Sequence, residues 1–220
     1  MNRLNINTVA IVCLSTSFIP LMASAENFNY NYAEVTGLFG KTEMAYSNKK
    51  PDFSTKGIGA TVQYSPYENV YLKATISRLK INDSKKYGSQ KFKTYGNSTT
   101  IAGLVGLYVP VTDNLDLLAG VGIANENDDY KYGIENTQNQ FKYDERKTKF
   151  YGEAGTKIGL SSWGELDLMY SRLNDANYFT ASGKFALTEN WGIQTGYSYS
   201  PSGKYRKRYG SWIIGARYSF

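Results

Sequence analysis

The chain contains no histidine. That absence excludes imidazole general bases, Ser-His-Asp triads and His-bound metals. Its single cysteine, Cys13, falls in a segment that reads as a cleaved leader. The remainder therefore has no thiol for disulfides, nucleophilic catalysis or metal binding. Long apolar runs are missing too: mean hydropathy is −0.45 and 41% of residues are apolar, which excludes a helical membrane protein on composition. Proline is scarce, with 5 in 220 residues, beside 21 Gly and 20 Tyr. That balance suits many strands and an all-β fold.

Residues 1–25 have the pattern of a secretory signal peptide. Arg3 supplies the positive start, an apolar stretch runs from Val9 to Ile19, Pro20 ends it, and Ala23-Ser24-Ala25 is a small-x-small cleavage site. The apolar stretch is too short to span a bilayer. Cleavage after Ala25 leaves 26–220 as one barrel domain, with no cysteine for lipid attachment. Loss of Arg3 leaves 24 basic against 19 acidic residues.

From Glu26 onward no stretch of ten residues has helical periodicity, and period-2 alternation recurs instead. Val70, Leu72, Ala74 and Ile76 oppose Tyr71, Lys73, Thr75 and Ser77. Leu117, Ala119, Val121 and Ile123 oppose Asp116, Gly120 and Gly122. The final strand sets Trp212, Ile214, Ala216, Tyr218 and Phe220 against Gly215 and Arg217. Ten such segments are recognisable. Their connections alternate between tight turns (65–69, 110–114, 161–164, 188–191) and longer polar loops (41–56, 80–97, 125–148, 173–178, 200–208). This predicts a closed antiparallel up-and-down transmembrane β-barrel of about ten strands, with both termini at the turn rim. A secreted lipocalin-like barrel is the soluble alternative. Against it stand a Gly-, Ser- and charge-rich polar face and aromatics near strand ends on the apolar face, among them Trp212 and Tyr218.

The chain stops at Arg217-Tyr218-Ser219-Phe220. A terminal Phe with an aromatic two residues earlier, on an amphipathic last strand, resembles the assembly signal of Gram-negative outer-membrane proteins. With the leader and the turn-loop alternation, the whole mature chain resembles the small porin-like barrels of the OmpA/OmpX superfamily. The resemblance implies an outer-membrane location, a monomer, and engagement of the barrel-assembly machinery through the C-terminal strand and Phe220. It does not set the activity, since such barrels include adhesins, channels, enzymes and anchors. The commonest members have eight strands, so eight with further strands in the loops stays open. No peptidoglycan-binding domain follows Phe220, so wall anchoring is not implied.

If the apolar sets face lipid, the inward charges are Glu34, Lys73, Asp116, Glu153, Lys157, Asp167, Lys184 and Arg217. Four bases and four acids in a narrow lumen should pair, because an unpaired buried charge is costly. Glu153 and Asp167 are the expected partners of Lys157 and Lys184. The network either plugs the barrel or lines a small solute path, and the narrow lumen favours the plug. The excess positive charge lies in the loops: Lys80, Lys85, Lys86, Lys91 and Lys93 in one, Lys204, Arg206, Lys207 and Arg208 in another. The turns carry Glu68, Asp113 and Glu189. Lipopolysaccharide phosphates and host sulfated glycans are the anions such a rim would meet. Arg78 and Arg172 fall on the lipid-facing register near it, placed to reach lipid phosphates. The tyrosines read mostly as girdle and loop residues, and loop 125–148 as a projecting aromatic hairpin.

No activated nucleophile, base, nucleotide fingerprint or calcium-loop spacing is present. No metal, cofactor or nucleic acid is expected. The expectation is a non-enzymatic surface barrel, structural or adhesin-like, with a narrow porin as the alternative.

Overall fold

A computed structural model describes residues 28–44, 52–87, 89–135, 140–173, 176–201 and 206–220. The leader call, residues 1–25, lies outside them. The described residues form ten strands and no helix: β1 (Tyr32–Met44), β2 (Asp52–Tyr67), β3 (Val70–Tyr87), β4 (Gln90–Thr112), β5 (Leu115–Ile134), β6 (Gln140–Ser161), β7 (Gly164–Leu173), β8 (Ala176–Ala186), β9 (Trp191–Ser200) and β10 (Arg206–Ser219). Each pairs antiparallel with its neighbours in sequence, and β1 pairs with β10 to close the ring. The number is ten, not eight.

Alternation decides which side faces lipid. Val35, Ile58, Val121, Ile123 and Ile214 point outward, each more than half exposed, while Asp116, Glu153 and Lys157 point inward and are buried. An apolar outer belt around a polar interior inverts the arrangement of a water-soluble barrel. Closure leaves no unpaired edge for lipid to face.

One rim carries the tight connections 68–69, 113–114, 162–163 and 187–190. Asn69 takes a φ of 65°, a left-handed conformation that asparagine tolerates in a two-residue turn. The start of β1 and the end of β10 lie here, with the Phe220 amide donating to the Asn31 carbonyl at 3.0 Å.

The opposite rim departs from expectation. Segments 41–56, 80–97 and 125–148, read as loops, are mostly strand, with Lys86 facing Lys91 and Tyr132 facing Phe141 across their ladders. Above the lipid the outer face of the sheet meets water and carries polar residues, so the apolar alternation fades although the hydrogen-bond ladder continues. Likewise β8 begins at Ala176 and β10 at Arg206, inside segments taken as loops. The wall is lopsided: β3 to β6 have 18, 23, 20 and 22 residues, β7 to β9 only 10, 11 and 10. Phe53, Ile81 and Phe92 form an apolar cluster on the inner face of this extension, packed by Tyr130 and Ile134.

Candidate functional site

The inward faces of the strands build two charge clusters in the lumen. In the first, Lys73 on β3 reaches both oxygens of Glu153 on β6, at 3.0 and 2.7 Å. Glu153 also accepts from the Tyr71 hydroxyl at 3.0 Å and the Tyr151 hydroxyl at 2.9 Å. The second cluster lies nearer the turns. Lys184 sits 2.5 Å from Asp167 and 2.9 Å from Glu165, Lys157 lies 3.4 Å from Glu165 and 3.9 Å from Asp167, and Arg217 is 2.7 Å from Glu165. The Arg217 guanidinium also lies 3.8 Å from the Tyr32 ring centroid.

These pairings correct two expectations. Glu153 serves Lys73, not Lys157 or Lys184. The hub of the second cluster is Glu165, which sequence reasoning missed because it falls between the turn 161–164 and the alternating set that starts at Leu166. Its signal was present: Glu165 and Asp167 share the parity that faces inward. The other two inward acids have different partners. Asp116 accepts from the Tyr30 hydroxyl at 2.7 Å. Gln194, with its amide nitrogen turned toward the carboxylate, donates to Glu34.

Aromatic side chains fill the space beside these charges. Phe28 and Tyr30 precede β1 and fold back inside the ring, where they cluster with Tyr71, Leu104, Tyr108 and Leu118. Tyr30 stacks on Tyr108 with centroids 3.8 Å apart and planes 11° from parallel. Arg217 donates to the Asn29 carbonyl at 2.7 Å, tying the thread to β10. Solvent does not reach Tyr30, Tyr71 or Asp116, each 0% exposed. The Tyr71 ring fits because residue 106 is glycine: a Cβ there would lie 2.1 Å from the ring. The tyrosines are thus not mostly girdle and loop residues: Tyr30, Tyr32, Tyr108 and Tyr151 fill the lumen, as does Tyr71, whose parity with Lys73 placed it inside.

The basic residues of the far rim stand on strands, not loops. Lys85 pairs with Asp83 at 3.3 Å and Lys91 with Glu135 at 2.7 Å. Lys86 and Lys93 are exposed. Burial on its own would raise the Asp83 carboxyl, but the Ser54 and Ser84 amides and Lys85 outweigh it and hold it below the ordinary range. The Lys91 ammonium likewise lowers Glu135. On the other side, Arg208 lies 3.7 Å from Glu43. Lys204 and the side chains of Arg206 and Lys207 lie outside the described residues. The two basic groups sit on different hairpins with β1 and β2 between them, so the fold does not merge them into one patch.

On the outer wall Arg78, Arg172, Trp212 and Tyr218 all point away from the lumen and are exposed. Trp212 packs edge-on to Tyr197 and Tyr218 against Trp191, with centroids 5.1 and 5.0 Å apart. Phe220 is half exposed, its ring 6.5 Å from that of Tyr218.

Among solved structures the chain is similar to the transport unit of the autotransporter AIDA-I from Escherichia coli, with a TM-score of 0.57 and 10% identity over 97% of both chains. It is also similar to the translocator domain of the autotransporter NalP from Neisseria meningitidis, with a TM-score of 0.53 and 13% identity over 97% of this chain and 95% of that one. The fold is that of an outer-membrane β-barrel. No family model and no curated protein matches the sequence. At these identities the barrel architecture is what is shared. This barrel holds a thread inside its turn end and carries a sheet above its lipid belt.

Proposed function

We propose that the protein is a non-enzymatic outer-membrane surface barrel, exported with cleavage after Ala25, whose basic outer rim binds anionic saccharides of lipopolysaccharide or of host glycans. The observation that carries this reading is the lysine-rich sheet formed by β3, β4 and β5 beyond the lipid belt. The filled turn end of the lumen supports a surface role over passage of solutes. Charge attraction between exposed groups weakens with salt. Purified barrel should therefore bind heparin and lipopolysaccharide at low salt and release them as salt rises. Changing Lys85, Lys86, Lys91, Lys93, Lys204, Arg206, Lys207 and Arg208 together to Ser should abolish most of that binding. Retained binding in this variant refutes the proposal.

A further inference from the structure

The sheet extension has an outward wall as well as an inward one, and the outward wall is concave. A groove of about 640 Å³ runs across β3, β4 and β5 beside Tyr95. Three of its lining residues, Lys80, Lys93 and Lys131, form no salt bridge among the described residues, whereas Lys85 and Lys91 are neutralised by Asp83 and Glu135. Lys131 stands opposite Tyr95 in the ladder, its ammonium 5.7 Å from the ring centroid. Asn82, which faces Tyr95 from β3, and Asn97 add amide donors and acceptors.

Three cations around one aromatic ring suit an anionic sugar, and Glu135, which also lines the groove and feels Lys93, is paired with Lys91. The C–H face of a pyranose lies on an aromatic ring, and phosphate or sulfate groups on its edge meet the ammonium groups. Position narrows the source. On β4 the last apolar outward residue is Ile101, and Tyr95 lies six residues beyond it. At about 3.4 Å per residue this places Tyr95 on the order of 20 Å along the strand from the edge of the lipid belt. Barrel strands tilt by about 35–45°, so the groove stands on the order of 15 Å above that edge and opens sideways, toward whatever surrounds the barrel in its own leaflet. We propose that this lateral groove is a binding site for the phosphorylated core saccharide of neighbouring lipopolysaccharide. The assignment rests on the anionic-saccharide reading above and narrows it to one wall and one ligand. The floor of the groove depends on Gly96, where a Cβ would lie 2.1 Å from the Asp129 carbonyl oxygen and hold β4 away from β5.

The test uses the whole barrel in nanodiscs and delipidated, phosphorylated core oligosaccharide as the probe. The triple variant K80S/K93S/K131S should weaken binding by about tenfold or more, because each cation acts at short range on the same anion. Tyr95→Ala should weaken it several-fold without changing charge. Enzymatic dephosphorylation of the probe should reproduce the triple variant, and K204S/R206S/K207S/R208S should bind within about threefold of wild type because its charges lie on another hairpin. If the groove variants bind like wild type and the 204–208 variant does not, the groove assignment falls while the broader reading survives. If neither weakens binding, both fall. Groove-dependent binding of heparin oligosaccharide in preference to the phosphorylated core overturns the choice of ligand. The folded, heat-modifiable form of each variant is confirmed by gel mobility before binding is read.

Discussion

Glu165 holds three cations with one carboxylate, and that makes it the most exacting residue in the lumen. Without it Lys157 and Lys184 keep Asp167 as their carboxylate partner, and Arg217 loses the carboxylate it contacts. Removing one partner from a buried ion network costs on the order of 3 kcal/mol, since the opposing charges stay desolvated. Glu165→Gln should therefore lower the thermal unfolding midpoint of the refolded barrel by several degrees, read by loss of the heat-modifiable gel form. An unchanged midpoint would mean that water already screens the cluster. Asp83 offers a pH-dependent counterpart outside the membrane. It accepts from the Ser54 amide at 2.8 Å and the Ser84 amide at 2.7 Å, fastening β2 to β3. Its carboxyl lies below the ordinary value of 3.8, so the fold favours the ionised form. That contribution is complete above 3.8 and disappears as pH falls through the depressed value. The Ser54 amide resonance should thus hold its position down to pH 3.8 and move only below it. In Asp83→Ala its exchange should already be fast at neutral pH.

At the scale of the strand, legibility followed solvent. In 70–78 and 115–123 every second residue touches lipid, and the apolar alternation exposes both strand and face. In 80–87 and 90–97 water instead of lipid lies on the outer side, so the ladder persists where the outward residues give no hydropathy signal. The inner apolar trio of Phe53, Ile81 and Phe92 was the remaining trace, split over three segments that only the register unites. The entering thread was hidden for a different reason. Phe28, Tyr30 and Tyr32 alternate with Asn29 and Asn31, yet their parity is that of Glu34, the inward one. An apolar inward set departs from the polar-inward rule, as Leu104 and Leu118 do on the strands that receive it, and it marks the plug. The plug leads to an electrical prediction. Wild-type protein should be silent in planar bilayers, and Phe28→Ala/Tyr30→Ala should show discrete current steps. Steady steps from wild type would remove the filled-lumen reading.

At the scale of the whole molecule, the C-terminal ring is set apart from the packing of the barrel. The Phe220 ring is half exposed and lies 6.5 Å from that of Tyr218. Little packing is lost when it is truncated. Phe220→Ala should consequently leave the unfolding midpoint of refolded protein nearly unchanged while sharply reducing the fraction folded in outer membranes of expressing cells. Equal losses in both measurements would make Phe220 a packing residue instead of an address.

The contact between Arg217 and the Asn29 carbonyl joins residues 188 positions apart. Arg217 also lies on the β1–β10 ladder, opposite Glu34. Seam and thread therefore share one side chain, and neither can reach its final state alone. The thread has no anchor on the last strand until that strand arrives, and the seam meets an empty interior until the thread has entered. Closing the ring and stopping its bore are thereby coupled through some of the most distant contacts in the chain, and contacts so far apart in sequence are slow to form. The barrel is in this respect a latch, with Arg217 as its catch.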